Sequence, residues 1–178
     1  MDFFEVAEKR YSHKGPFSSD AVPLEHLERI AKAGLAAPTG NNTQCVRLVI
    51  LPDREALREL SGVTPKSRVL ATAPAAIAVL TDSEATQPGK KNFELEDYSA
   101  AAENMILAAF ALGYVSGWID SPYFDADRER AALEALGAPA SHTLRVVIPV
   151  GLPDGEVKRR EKLPFEARVS YGRFGQGK

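Results

Sequence analysis

The stretch ELEDYSAAAENMILAAFALG, residues 94–113, decides how this chain folds. From residue 100 to residue 112 a helix would be apolar on nearly every face, and Glu103 and Asn104 are the exceptions. A helix that is apolar all round must be buried on all sides. The stretch therefore predicts a central helix. In a chain of 178 residues, it also indicates that a second subunit covers one face of this helix.

The segments around this helix alternate between helical and strand patterns, which predicts a layered α/β or α+β fold with helices packed on a sheet. We expect one domain spanning residues 1–178, without internal repeats. Residues 152–178 have no strong period, and we expect them to run extended over a protein surface. The predicted helices are 2–10, 23–34 or slightly longer, 53–60, 94–113 and 125–137, and the predicted strands are 46–51, 75–80, 114–119 and 144–151.

The composition limits the classes of function. The net charge is −2 and the pI is about 6.0, so no general basic field attracts nucleic acid or an anionic membrane. Cys45 is the single cysteine, which excludes an internal disulfide and suits a small packed residue better than a redox centre. The chain has no signal-peptide pattern, no apolar run of the ~20 residues that a membrane span needs, no Cys/His metal spacing and no GxGxxG or Walker loop. We expect a cytoplasmic protein without a metal.

Two basic segments are candidates for an anion site. RYSHK, residues 10–14, combines two cations with the Ser12 hydroxyl, and such a set can hold a phosphate by charge and hydrogen bonds. It can equally be a solvated helix end, because cations suit a helix C-terminus. The tail cations either form a solvated run or complete the same site; they are Lys158, Arg159, Arg160 and Lys162.

Two further motifs suit a flat ligand. In APTGNNTQ, residues 37–44, the amides of Asn42 and Gln44 match a heteroaromatic ring edge, which alternates donors and acceptors; the alternative is a polar turn. In SGWI, residues 116–119, the glycine permits close approach of a flat ring. For Trp118 itself, packing in the core is the favoured interpretation.

Taken in order, these motifs resemble the FMN-dependent nitroreductase family. The resemblance runs from RYSHK through APTGNNTQ, DYSAAAENMILAAFALG and the Gly-Trp strand to PVGLP and the R-x-K-L-P tail, and so covers almost the whole chain. It implies an α+β fold in which helices flank a central mixed, mostly antiparallel sheet, with an extended C-terminal tail. It also implies a homodimer with FMN at the interface.

The resemblance assigns roles to individual residues. At the FMN phosphate it places Arg10, Ser12 and Lys14, with Tyr11 beside them, and Arg160 and Lys162 from the tail. Near the N1/O2 edge of the ring it implies a cation, for which Lys66 and Arg68 both remain candidates. For the ring and ribityl chain it implies Asn42 and Gln44, reached across the dimer, and for the ring and its N5 it implies Ser116, Gly117 and Trp118.

The activity implied is the reduction of a nitroaromatic, quinone or similar small acceptor by NAD(P)H in a ping-pong cycle, with no side chain acting as a nucleophile. One alternative is a flavin-binding carrier or sensor without turnover. Another is a flavin-free domain whose basic tail binds an acidic partner. Two departures from the family pattern bear on the substrate. Cys45 and Val46 replace a common Pro-Trp pair, and the Thr81–Glu96 segment is short where longer members carry covering helices.

Overall fold

The computed structural model describes residues 1–64, 67–85, 89–120, 125–157 and 159–176. The helices agree with the predicted ones to within a few residues, apart from a short additional helix, α4. Short 3-10 turns lie at Gly40–Asn42, Ser83–Ala85 and Phe165–Ala167. The helices are α1 (Phe3–Lys9), α2 (Leu24–Leu35), α3 (Arg54–Val63), α4 (Arg68–Thr72), α5 (Glu94–Ala111) and α6 (Ala126–Ala135).

Four strands form one sheet in the order β1-β2-β4-β3, and each neighbouring pair is antiparallel. Helices cover both faces of this sheet. The predicted α+β fold, with a mostly antiparallel sheet flanked by helices, is therefore confirmed. The strands are β1 (Val46–Leu51), β2 (Ala75–Asp82), β3 (Val115–Ser116) and β4 (His142–Gly151).

Strand β2 is apolar at successive positions because both faces of the sheet are covered. Side chains alternate along a strand, so Ile77 and Val79 join the cluster on the α2 and α5 side. Ala78 and Leu80 join the cluster on the α3 and α6 side. A strand with two apolar faces is the expected result of burial in the middle of a layered fold.

Helix α5 is the central helix that residues 94–113 predict, and it contacts α1, α2 and all four strands. Met105 and Ile106 are buried inside the subunit. A side-chain carbon at Gly34 of α2 would lie 2.6 Å from Met105 Cγ, so glycine lets these two helices pack closely. Leu107 and Phe110 are half-buried. A stripe of this helix therefore remains open on the single chain.

Strand β3 is shorter than the predicted strand 114–119, and Pro149 explains the difference. The N–H of Gly117 donates to the carbonyl of Pro149 at 3.3 Å, but proline has no N–H with which to return the bond. Pairing resumes at Ile119, which exchanges two bonds with Val147 at 3.1 and 2.8 Å. The segment still lies along β4, although the regular ladder ends at Ser116.

Helix α4 is absent from the sequence prediction, although a capping signal precedes it. The side chain of Ser67 accepts a hydrogen bond from the N–H of Leu70 at 3.3 Å, which is the usual role of serine at a helix start. A helix of five residues has little periodicity from which to predict it. Its position matters because Val69 lies beside Gly117, the residue that follows β3.

A buried ion pair connects the start of α5 to the sheet. The carboxylate of Glu94, 3% exposed, pairs with Arg145 of β4 and accepts from Thr81 Oγ1 at 2.9 Å and from Asn92 Nδ2 at 2.8 Å. Arg145 is an extra residue in the ladder, between the partners of Val79 and Leu80. Burial by itself would raise the pKa of Glu94, but the hydrogen bonds from Thr81, Arg145 and Asn92 and the charge of Arg145 outweigh it and lower that pKa.

Replacing Glu94 with glutamine should lower the free energy of unfolding by about 3 kcal/mol at neutral pH, because it leaves Arg145 without its buried partner. Folding lowers the pKa of Glu94 from 4.5. The stabilisation that its charged carboxylate provides is therefore fully present above about pH 4.5. It is lost as the pH falls through the folded pKa. Urea unfolding measures the free energy of unfolding of wild type and of Glu94→Gln. The difference between the two should shrink below about pH 4.5.

The matched control is Glu96→Gln, which removes a carboxylate from the same helical turn. Glu96 is exposed and lies 3.6 Å from Lys91, so its loss should cost less than about 1 kcal/mol. A difference for Glu94→Gln that stays constant down to pH 3 would contradict the assigned role of the ion pair.

Candidate functional site

A cleft of about 530 Å³ lies between the N-terminal segment and the tail. It brings together the two basic segments that the sequence analysis singled out, and we name it the basic cleft. From the RYSHK segment it contains Arg10, Tyr11, Ser12 and Lys14, and from the tail Arg160 and Lys162, so six predicted site residues share one cleft; Glu8 and Arg159 complete its lining.

Backbone pairing explains why these distant segments meet. Ser12 forms a parallel bridge with Ser116 of β3, and the N–H of His13 donates to the carbonyl of Ser116 at 2.8 Å. A few residues on, the N–H of Ser18 donates to Leu152 at 2.9 Å, and the N–H of Asp154 donates to Pro16 at 3.0 Å. The first residues of the tail are therefore fixed beside the segment that follows RYSHK.

The charges in the basic cleft are unbalanced. Five cations line it, against one acidic residue, Glu8. Of the five, Arg10 forms an ion pair with Glu103 of α5, with 3.3 Å between Arg10 Nε and Glu103 Oε1. The buried Tyr11 Oη has no hydrogen-bond partner among the described residues. An excess of cations beside a polar atom without a partner suits a multiply charged anion such as a phosphate.

The ring of Tyr11 faces the guanidinium of a tail residue, Arg159. The guanidinium of Arg159 lies 5.2 Å from the ring centroid of Tyr11, which is within the range of a cation–π contact. Burial raises the pKa of the Tyr11 phenol, and the charge of Arg159 acts in the opposite direction. The phenol is therefore neutral at physiological pH and can donate a hydrogen bond into the cleft.

Gly117 is packed closely by neighbouring residues, which would crowd a side chain at this position. A side-chain carbon there would lie 3.1 Å from the His13 carbonyl oxygen and 3.6 Å from Val69 of α4. Ser116 beside it is buried, and Arg68 is exposed at the start of α4. The structure thus places Ser116, Gly117 and the helix that carries Arg68 beside the RYSHK segment. Lys66, the other candidate cation, lies outside the described residues.

Trp118 packs inward, as its favoured interpretation holds. Its ring is half-buried against the apolar cluster on the α5 side and lies 6.1 Å from the ring of Tyr98. Its Nε1–H donates to Asp120 Oδ2 at 2.9 Å. The contact that Trp118 can offer a ligand at this site is therefore its backbone.

The predicted amide pair lies in a different cleft, of about 720 Å³, which we name the amide groove. Asn42 and Gln44 line it, together with Arg47 of β1 and with Asp97 and Ala101 of α5. The Gln44 side-chain amide donates to Asn42 Oδ1 at 3.3 Å. Among the described residues, the amide groove and the basic cleft have no lining residue in common.

The loop that carries the amide pair is attached to Asp97. Asp97 accepts hydrogen bonds from Gly40 N–H at 2.8 Å, from the Thr43 hydroxyl at 3.1 Å and from the Cys45 thiol at 3.4 Å. Burial, followed by the hydrogen bond to Asp97, raises the pKa of Cys45 to about 11. The thiol is therefore protonated and donates, in agreement with the prediction that Cys45 is a packed residue.

Arg159, one of the tail cations that could complete the anion site, lines the basic cleft. Two further contributors to these clefts are missing from the predicted residues. Glu103 was visible as an acidic residue within an apolar helix, which is a usable signal for a specific partner. Asp97 carries no such signal, because acidic residues are ordinary in the first turn of a helix.

The described residues contain neither a metal-binding cluster nor a membrane-spanning helix. Among the described residues, no group of three or more His, Cys, Asp or Glu side chains is arranged to hold a metal ion. In the same part of the chain, no helix combines the length and the apolar character needed to cross a membrane.

Comparison with known proteins gives the family. The sequence matches the family model described as "Nitroreductase family" over residues 7–64 and 61–152. A protein of Archaeoglobus fulgidus, named as a candidate NADH dehydrogenase/NAD(P)H nitroreductase, is 33% identical over 140 residues, which are 79% of each chain. This chain belongs to the nitroreductase family. The predicted family and the prediction of an oxidoreductase are thereby confirmed.

Solved structures of related proteins agree with the fold. A candidate NADH dehydrogenase/NAD(P)H nitroreductase from Parabacteroides distasonis has a TM-score of 0.83 at 26% identity, over 97% of this chain and 98% of that one. An FMN-dependent nitroreductase from Clostridium difficile has a TM-score of 0.81 at 28% identity, over 96% and 99%. The nitroreductase fold therefore extends over nearly the whole chain.

Proposed function

We propose that this chain forms a homodimer that binds FMN at its interface and uses NAD(P)H to reduce a nitroaromatic, quinone or similar small acceptor in a ping-pong cycle. The related protein from Clostridium difficile is named as FMN-dependent, and the one from Archaeoglobus fulgidus is named for NAD(P)H. These names, together with membership of the family, support the cofactor and the donor.

The observation that carries the proposal is the basic cleft. Arg10, Lys14, Arg160 and Lys162 converge there from the two ends of the chain, with Ser12 between them. A dianionic phosphate that is partly buried needs several charge-assisted donors. The buried Tyr11 Oη, which no described residue hydrogen-bonds, is a further donor. The residues present therefore fit the phosphate of FMN.

The other predicted residues would contact the flavin ring. When bound, FMN supplies the redox chemistry, which is hydride uptake from NAD(P)H at N5 followed by reduction of the acceptor at the same place. The backbone at Ser116 and Gly117 would line the ring, because this stretch lies directly beside RYSHK. Arg68, or Lys66, would place a positive charge at the N1/O2 edge, where it stabilises negative charge on the ring.

The division of the site into two clefts supports the homodimer. Asp97 and Ala101 of α5 line the amide groove, whereas Glu103 contacts Arg10 of the basic cleft. Two positions along a helix correspond to a turn of about 200°, so Ala101 and Glu103 point to opposite sides of α5. Asn42 and Gln44 of a second copy would then meet the ring held in the basic cleft of the first.

Exposed apolar side chains also support a second copy. In the tail, Leu163 is 70% exposed and Phe165 is 60% exposed. On α1, Phe4 is 81% exposed, and on α5, Leu107 and Phe110 are half-buried. Apolar surface of this extent is typical of an interface. Met105 and Ile106 lie inside the subunit and do not contribute to that surface.

The activity test combines flavin binding with turnover. We expect purified protein to retain FMN, seen by its visible absorption. We also expect it to oxidise NADH or NADPH when a quinone or a nitroaromatic is added, with the parallel double-reciprocal plots of a ping-pong cycle. FMN binding without NAD(P)H oxidation would favour a carrier or sensor instead. Failure to bind FMN would reject the proposal.

Removing Arg10 should release the cofactor. Arg10→Ala deletes a charge-assisted donor and leaves Glu103 facing the phosphate, so we expect FMN affinity to fall roughly 10- to 100-fold. Fluorescence titration with FMN measures the change. Lys9→Ala is the matched control, because Lys9 pairs with Glu5 on α1 outside the basic cleft. Equal affinity of Arg10→Ala and Lys9→Ala would show that RYSHK does not bind the phosphate.

Neighbouring residues of the tail should differ in their effects: Phe165→Asp should weaken both assembly and FMN binding, whereas Lys162→Ala should lower FMN affinity with the dimer still formed. Phe165→Asp should dissociate the dimer, because it places a charge in an apolar interface that we expect to exceed ~2,000 Å² in total. Lys162→Ala should weaken FMN binding and leave the dimer intact. Light scattering reports the mass and fluorescence titration reports the affinity. Monomeric wild-type protein at micromolar concentration would contradict the homodimer.

A further inference from the structure

The carboxylate of Asp97 is buried, 3% exposed, and has no direct part in the proposed redox reaction. Its hydrogen-bond donors are Gly40, Thr43 and Cys45, which all belong to the loop between α2 and β1. Two of these donors are side chains and one is backbone. A single side chain of α5 thus holds that loop at three points.

This arrangement makes the loop and the carboxylate depend on each other. Among the described residues, no cation lies within 4.0 Å of the carboxylate of Asp97 in an ion pair. A buried carboxylate without a cation must be stabilised by hydrogen bonds. The loop supplies those bonds, so a conformation that moves Thr43 and Cys45 away would leave the buried carboxylate with the Gly40 N–H alone.

The loop needs a restraint of this kind because its backbone is unfavourable. Asn41, Asn42 and Gln44 have φ values of 53°, 54° and 50°, in the left-handed region that residues other than glycine seldom adopt. Asparagine tolerates this region better than glutamine does. Such conformations persist where the surrounding contacts fix them, and they are common at binding sites.

Other contacts restrain the loop less completely. At Gly40 a side-chain carbon would lie 2.2 Å from the ring of Phe93, so the backbone is packed tightly there. On the solvent side, Arg47 donates to the carbonyl of Gln44 at 2.6 Å. The donors to Asp97 lie on both sides of Asn42 and Gln44 in sequence, whereas each of these other contacts acts at one end.

We propose that Asp97 is a positioning residue, which fixes the loop so that the amide of Gln44, bonded to Asn42, is already oriented for the edge of the flavin ring. The Gln44 amide bonds to Asn42 Oδ1 in this conformation, which fixes the two side chains relative to each other. Preorganised donors lower the cost of binding. This inference rests on the proposed function, since it assigns the ring to the amide pair.

The test is a double-mutant cycle on FMN affinity, using Asp97→Asn, Gln44→Ala and the combination. Asparagine keeps the shape of Asp97 but offers one acceptor oxygen instead of two. We expect each single variant to lose about 10-fold in affinity, by loss of one or two hydrogen bonds. The double variant should also lose about 10-fold, because Asp97 acts through the amide. Independent effects would multiply to about 100-fold.

A second readout is the two-electron midpoint potential of bound FMN, which hydrogen bonds to the ring tune. Asp97→Asn and Gln44→Ala should shift it in the same direction. Glu96→Gln, which removes an exposed carboxylate from the same turn, should change neither potential nor affinity. Should Asp97→Asn fold poorly, Thr43→Val removes one donor to the same carboxylate and should give a smaller shift in that direction.

The outcomes separate the inference from the proposed function. If Gln44→Ala changes neither affinity nor potential, the Gln44 amide does not contact the ring and the inference falls, whereas the proposed function falls only if FMN does not bind at all. If Gln44→Ala weakens binding but Asp97→Asn costs the same factor with and without Gln44, Asp97 stabilises the fold in general and the positioning role is wrong. If the double variant matches the single ones and the potentials move together, the inference stands.

Discussion

The structure depends on three acidic residues of one apolar helix. Along α5, Glu94 pairs with Arg145 and fixes the helix to the sheet, Asp97 holds the loop of the amide groove, and Glu103 pairs with Arg10 of the basic cleft. A buried acidic residue without partners is costly, so Glu94 and Asp97 need specific partners, whereas the Glu103 side chain is partly exposed. Because α5 also contacts all four strands, both clefts are positioned relative to the same rigid element.

The two clefts lie on opposite sides of one helix, so a single chain does not bring them together around one ligand. A ligand in the basic cleft of one chain cannot share lining residues with the amide groove of that chain, as far as the described residues show. Under the proposed function, the missing half comes from a second copy. The open stripe of α5 and the exposed tail would then be the surfaces that bring the two halves together. Binding of FMN and dimerisation would therefore reinforce each other, because each completes the other's contacts.

The sequence predicts the fold and the basic segments because their signals are local. The period of residues 94–113, the doubly apolar strand at 75–80 and the cations of RYSHK are all readable within a few residues. The polar contacts of α5 are not, because their partners are distant in the chain: Glu94 pairs with Arg145, and Asp97 accepts a hydrogen bond from Gly40. The early end of β3 depends likewise on Pro149 of a neighbouring strand.

The loop around Asn42 adopts a backbone conformation that its residues disfavour, and the proposed binding role explains why. Glycine would adopt the left-handed backbone at positions 41, 42 and 44 at little cost, but it has no amide to offer a ligand. Side chains that can recognise a ring edge therefore have to be held in a backbone conformation that they disfavour. The free energy for this comes from elsewhere in the fold. Here the source is a buried carboxylate, whose own stability requires that the loop stay in place.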